Sequence, residues 1–207
     1  PKSEQEFRFP YWMEAIDWSH EGVKRAAPPR TSRHFSIAEL QRPLGKFTKN
    51  RNGKCAAFFG QLDEPRPTLL AAAQKHLTVD AFGQAFDTKI KNSQSSGVFK
   101  DEVMQDYSYN LCPENSLYPG YYTEKVLEGF ASGCLPLAWA DHNISADFNP
   151  DAFVNLLDFA QYNYDGWHAL LQHKAEIEKF ESAALLRTPP SIDPLRQFVK
   201  RIAGDIR

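Results

Sequence analysis

The side chains with the most chemical content in this chain are Glu114 and Asn115, followed within one loop by Tyr121, Glu124 and Lys125. Carboxylates and carboxamides hydrogen-bond to hydroxyls, and an ammonium group neutralises phosphate oxygen. Lys125 falls in the first turn of an expected helix, where a cation opposes the helix dipole. An anion drawn to the free N–H groups of that turn would remove the conflict. Glu124 beside it can accept bonds from vicinal hydroxyls such as those of a ribose, and Glu114 and Asn115 can address other hydroxyls. Tyr121 can bond a phosphate or stack on a ligand. A further cation, Arg66, stands between Pro65 and Pro67 in an expected strand-to-helix connection, where its planar fork suits bidentate contact with a diphosphate. The set points to an anionic, hydroxyl-rich ligand of the nucleotide-sugar kind. Plainer readings stand beside it: Arg66 as a surface cation, Tyr121 as packing, and Glu114 or Asn115 as a partner that merely orients Lys125 or Arg66.

The elements that must position these residues follow from patterning. Residues 107–112 read as a buried strand that runs into Glu114. A loop through Pro119, Gly120, Tyr121 and Tyr122 leads to Thr123, which stands as the N-cap of a helix carrying Val126, Leu127, Phe130 and Ala131. Gly133 suits that helix's end, and residues 134–139 are a second apolar strand. Earlier in the chain, a strand over 54–59, a helix over 68–77 and a strand over 78–82 ending at Gly83 are expected. A polar loop over 88–96 and a short helix over 100–105 follow. Later come a turn at Asn149 and Pro150, a strand over 153–157, a helix capped by Asp165 that runs through Trp167 to Ile177, and a terminal helix from Asp193 and Pro194. Strands alternating with helices imply an α/β, Rossmann-like parallel sheet flanked by helices, with ligands at the carboxyl ends of its strands.

The chain's 207 residues suffice for one well-cored domain and are short for two. Residues 1–50 lack sustained periodicity and read as a connecting arm, with Asn50 to Gly53 a turn and residues 51–207 the domain. Lys24, Arg25, Arg30 and Arg33 in that arm are read as a solvated connector rather than a polyanion site. With a net charge of −2, nucleic acid is not an expected partner. No run approaches the ~20 apolar residues of a membrane span. The basic residues Arg196, Lys200 and Arg201 of the terminal helix allow a peripheral membrane contact, although a solvated helical face is the simpler reading. Cys55, Cys112 and Cys134 are odd in number and suit reduced core thiols, which favours a cytoplasmic, membrane-associated at most, protein. The six histidines have no metal-ligand spacing along the chain and read as surface or packing residues. Motifs for ATPase, dehydrogenase and serine-hydrolase chemistry are missing.

Four segments carry a resemblance: N-L-C-P-E-N-S at 110–116, Y-Y-T-E-K at 121–125, G-C-L-P at 133–136 and D-F-N-P-D-A-F-V-N at 147–155. In this order they resemble the α-1,3-fucosyltransferase family, which uses GDP-fucose. The likeness is dense over about 107–159 and looser over about 54–106. It implies the donor-binding half of a GT-B glycosyltransferase, with residues 1–50 approaching from an acceptor-side domain that is not in this chain and that would supply the general base. It further implies inverting transfer of fucose from GDP-fucose to a glycan hydroxyl, without metal or other cofactor. Arg66 and Lys125 would then be catalytic, stabilising the departing diphosphate. Glu114, Asn115, Tyr121 and Glu124 would bind the donor. A non-catalytic nucleotide-sugar or glycan-binding module stays open. So does another GDP-sugar, since Gly60, Gln61, Pro113 and Ala140 depart from the family pattern. The acceptor and the oligomeric state are not read from the residues.

Overall fold

The computed structural model describes residues 7–23, 33–49, 51–86 and 100–205. The polar loop expected over 88–96, and Lys24, Arg25, Arg30 and Asn50, lie outside the described residues. In chain order the regular elements are α1 (Ile37–Leu40), β1 (Cys55–Phe58), α2 (Arg66–Gln74), β2 (Val79–Phe82), α3 (Lys100–Met104), β3 (Tyr109–Pro113), α4 (Lys125–Ala131), β4 (Leu135–Trp139), β5 (Val154–Asn155), α5 (Lys174–Ser182) and α6 (Asp193–Asp205). The strands form one five-stranded sheet in the order β2-β1-β3-β4-β5. Every neighbouring pair is parallel, from Cys55 opposite Val79 at one side to Leu137 opposite Val154 at the other. The expected Rossmann-like α/β fold is therefore the observed one.

Strands covered on both faces must be apolar along their whole length, and β4 is buried at every position. β2, at the sheet edge, is only half buried. Helix α4 lies close against β3 because Gly129 has no side chain: a Cβ there would sit 2.7 Å from Asn110 Oδ1. Asn110, buried in β3, donates from Nδ2 to Ala56 O at 3.1 Å and so ties β3 to β1.

Several expectations are corrected. Thr123 is not an N-cap. Its N–H and hydroxyl both turn back to Glu114, and α4 begins at Lys125 with Glu124 already in helical conformation. The strand expected over 153–157 stops at Asn155, whose side chain accepts from Leu157 N–H and turns the chain into a 3-10 segment, Leu156–Tyr162. The helix expected from Asp165 to Ile177 is two pieces, a 3-10 segment Trp167–Gln172 and then α5, separated by His173 in extended conformation. Asp165 accepts from the adjacent Gly166 N–H and otherwise meets Lys75 and His76, just past the end of α2.

The segment before β1 is more than a connector. Trp12, Met13, Ile16, Trp18, Phe35 and Leu40 are buried in the same core cluster as Val126, Leu127 and Phe130 of α4. Tyr11–Ala15 forms a 3-10 turn, and Ile16 and Phe35 pair as an isolated parallel bridge. Such irregular backbone gives buried residues no fixed period, so the sequence shows none. Helix α6 forms as expected. Its Phe198 stacks on Phe7 at 5.2 Å, while Val199 and Ile202 are exposed. Among the described residues no helix is long and apolar enough to cross a membrane. The three cysteines are buried and free.

Candidate functional site: a cationic cleft at the sheet's switch point

In a doubly wound sheet of this strand order the chain leaves β1 and β3 in opposite directions, so a crevice opens between their carboxyl ends. A cleft of about 330 Å³ lies there. Phe59 and Gly60 after β1 form one side and Cys112, Pro113 and Asn115 at the end of β3 the other, with Glu124 and Lys125 of the α4 entry above them. Arg66 reaches in from the first residue of α2.

Two of the expected site residues share one atom. Asn115 Oδ1 accepts from Arg66 Nη2 at 2.6 Å and from Lys125 Nζ at 3.0 Å. Lys125 Nζ also donates to Glu114 Oε2 at 2.9 Å. Like charges this close repel, and the shared carboxamide oxygen together with the Glu114 carboxylate holds them in place. Lys125 is only 21% exposed, so it projects into the cleft rather than into bulk water.

Glu114 is 1% exposed, and its oxygens accept from Thr123 N–H at 2.8 Å, from the Thr123 hydroxyl and from Lys125. Its geometry is that of a group that fixes the loop and aims the lysine. Asn115 is exposed at the rim, and Glu124 lines the cleft. Tyr121 does not line it; its ring lies 6.5 Å from that of Tyr11 in the N-terminal segment. Tyr122 is buried, accepts from Gly120 N–H, and is raised by burial above the usual phenol range.

Two cleft residues escaped the sequence reading. Lys100, the first residue of α3, and Glu128 of α4 form an ion pair at 2.5 Å on the cleft floor, each nearly out of solvent. Burial pushes the Glu128 carboxyl up to about 7, with the Lys100 ammonium pulling the other way. Lys100 is itself raised, because Glu128 more than offsets the burial that disfavours its charge. The available signal was Glu128 at helical spacing from Glu124 and Lys125, which puts all three on adjoining turns. Burial likewise lifts the Cys112 thiol well above its ordinary value, so it lines the cleft as an uncharged side chain.

A cleft with cations at its mouth, carboxylates beside them and a switch-point position is built for a phosphorylated, hydroxyl-bearing ligand. A model of the glycosyltransferase family 10 (fucosyltransferase) C-terminal region matches residues 49–180. The chain belongs to that family. Among family relatives, it is 26% identical over 168 residues to the alpha-(1,3)-fucosyltransferase FucT of Helicobacter pylori, covering 75% of this chain and 35% of that protein. It is 32% identical over 121 residues to the 3-galactosyl-N-acetylglucosaminide 4-alpha-L-fucosyltransferase FUT3 of Pan troglodytes, covering 56% of this chain and 31% of that one. A crystal structure of an alpha1,3-fucosyltransferase superposes with a TM-score of 0.61 at 25% identity, over 80% of this chain and 48% of that chain. A structure of an alpha1,3-fucosyltransferase with GDP-fucose gives 0.58 at 24% identity, over 79% and 48%. The chain thus spans about a third of the length of these curated fucosyltransferases and about half of the solved chains.

Proposed function

We propose that this chain is the donor-binding half of an α-1,3-fucosyltransferase and that its cleft takes the diphosphate of GDP-fucose between Arg66 and Lys125. The observation that carries the reading is the convergence of those two cations on Asn115 Oδ1 at the switch point. Phosphate oxygens would join that oxygen as acceptors, and two cations that repel each other would share a dianionic partner. Glu124 at the cleft wall then accepts from the ribose hydroxyls. Family membership and the likeness to a structure with GDP-fucose support GDP and fucose as the donor's parts.

In the reaction a glycan hydroxyl oxygen forms a bond to the anomeric carbon as the bond from that carbon to the β-phosphate oxygen breaks. The electron pair leaves with GDP, and the configuration inverts. The negative charge that grows on the diphosphate meets Arg66 and Lys125, whose positions are fixed beforehand, and each such donor is worth about 3 kcal/mol. The hydroxyl proton passes to a carboxylate base of an acceptor-side domain.

Calorimetric titration of the chain with GDP, GDP-fucose and GDP-mannose, in the presence of a chelator, tests the reading. GDP and GDP-fucose are expected to bind, and Lys125→Ala to weaken both. Failure of either to bind at millimolar concentration would remove the proposal, and tighter binding of GDP-mannose would keep the cleft and change the sugar.

A further inference from the structure

Helix α2 begins at Arg66 in the cleft, and past its other end, about 15 Å along at the helical rise, stands His76. There the fold assembles a group that chain order conceals. His76 Nε2 lies 2.6 Å from Asp165 Oδ1, eighty-nine positions away in sequence. His168 Nδ1 lies 3.7 Å from the same oxygen. One ligand atom from each of the three lies within 4.8 Å of the other two. The imidazoles are stacked, centroids 3.4 Å apart and planes 15° from parallel. Buried Trp167 stands edge-on to both rings, at 6.1 and 6.3 Å, as a wall behind them.

We propose that His76, Asp165 and His168 bind a divalent cation of the zinc class. Hydrogen bonding within the group is incomplete: His168 Nδ1 is out of contact with water and has no hydrogen-bond partner. A cation held jointly with Asp165 Oδ1 would satisfy it. Ligand atoms of tetrahedral Zn²⁺ lie about 2.0–2.2 Å from the metal, hence ~3.3 Å from one another. The 3.7 Å pair is close to that spacing, the 2.6 Å pair must open by about 0.7 Å, and one of the stacked rings must turn out of parallel so that both nitrogen lone pairs point at the ion. Imidazole with carboxylate suits Zn²⁺ and its neighbours Co²⁺, Ni²⁺ and Cu²⁺ over Mg²⁺ or Ca²⁺. Lys75 Nζ, 3.2 Å from Asp165 Oδ2, is half exposed and engages the oxygen the metal does not need. The three protein ligands leave a fourth position to water. Lying at the far end of α2 from the cleft, the ion acts as a clamp between that helix and the segment after β5.

The test strips the 207-residue chain with chelator and titrates it with Co²⁺, read by visible absorption, and with Zn²⁺, read by calorimetry. One equivalent of Co²⁺ with the strong visible bands of a four-coordinate site is expected. His168→Gln, at a ring that is 37% exposed and so keeps its fold by circular dichroism, should bind ~10-fold or more weakly. His76→Ala with His168→Gln should abolish the signal. Absence of one-equivalent binding at millimolar metal, or equal affinity in the folded His168→Gln chain, would overturn the site.

Discussion

Arg66 and Lys125 meet on a single oxygen, Asn115 Oδ1, although they enter the cleft from different helices. Because one acceptor serves both cations, removing it should matter to both. Asn115→Ala is expected to leave the fold intact and weaken GDP about 10-fold, or about 1.4 kcal/mol, through loss of the oxygen that aligns the pair. Arg66→Ala and Lys125→Ala each should cost more, and less than additively in combination, since they act on one diphosphate. A double-mutant cycle read by calorimetry checks this, and strict additivity would contradict a shared ligand.

Glu114 is buried with every contact internal, so its replacement is a stability experiment first. Glu114→Ala should destabilise the chain by roughly 3 kcal/mol in urea unfolding, because it orphans the Thr123 N–H and leaves Lys125 without its carboxylate. Thr123→Val, which keeps the N–H contact and loses only the hydroxyl, should cost about 1 kcal/mol. Equal losses for the two would show that neither the Thr123 N–H contact nor the lysine contact adds stability.

The Glu128–Lys100 pair predicts a pH dependence. Glu128 has an ordinary value of 4.5 and is pushed up to about 7 in the folded chain by burial. Below pH 4.5 folded and unfolded chains both hold the proton, and stability from this group is fully present. Between 4.5 and about 7 the unfolded chain ionises while the folded one resists, so stability falls, by up to about 3 kcal/mol, and levels off above that window. Glu128→Gln should remove that decline. Subtracting its pH–stability curve from that of the parent chain isolates the effect from Asp80 and Glu181, whose lowered values act in the opposite sense at more acid pH.

Close approach of α4 to the sheet rests on Gly129. Gly129→Ala should cost about 1–3 kcal/mol, because its Cβ would meet Asn110 Oδ1 at 2.7 Å and push the helix outward. Since Lys125 opens that helix, GDP affinity should fall with stability even though the substitution touches no ligand. An unfolding midpoint measured together with a GDP titration checks both. Gly83 is constrained in the same way: at φ +107°, with an added Cβ running into Phe59 O, its replacement strains the loop after β2.

Much of the site was legible in the sequence because its residues sit where patterns change. A buried run ends at Glu114, and a new helical pattern starts near Lys125, so their neighbourhood follows from strand, loop and helix order alone. Arg66 was placed by prolines on either side. Other features depend on contacts between distant residues. Nothing local says that Thr123 would prefer the Glu114 carboxylate to capping its own helix, or that Asn155 would take the Leu157 N–H and end a strand early. Lys100 meets Glu128 only when α3 packs on α4. The N-terminal core residues Trp12, Ile16 and Phe35 have no period to betray them, since the backbone there is a short 3-10 turn and a lone bridge.

The nine residues of α2 carry Arg66 at one tip, with His76 just beyond the other. A short helix tilts as a unit rather than bending, so any backbone movement of Arg66 towards a ligand levers the opposite tip against Asp165 and Trp167. Occupancy of the nucleotide cleft should therefore register as a change in the imidazole resonance of His76, far from any atom the nucleotide touches.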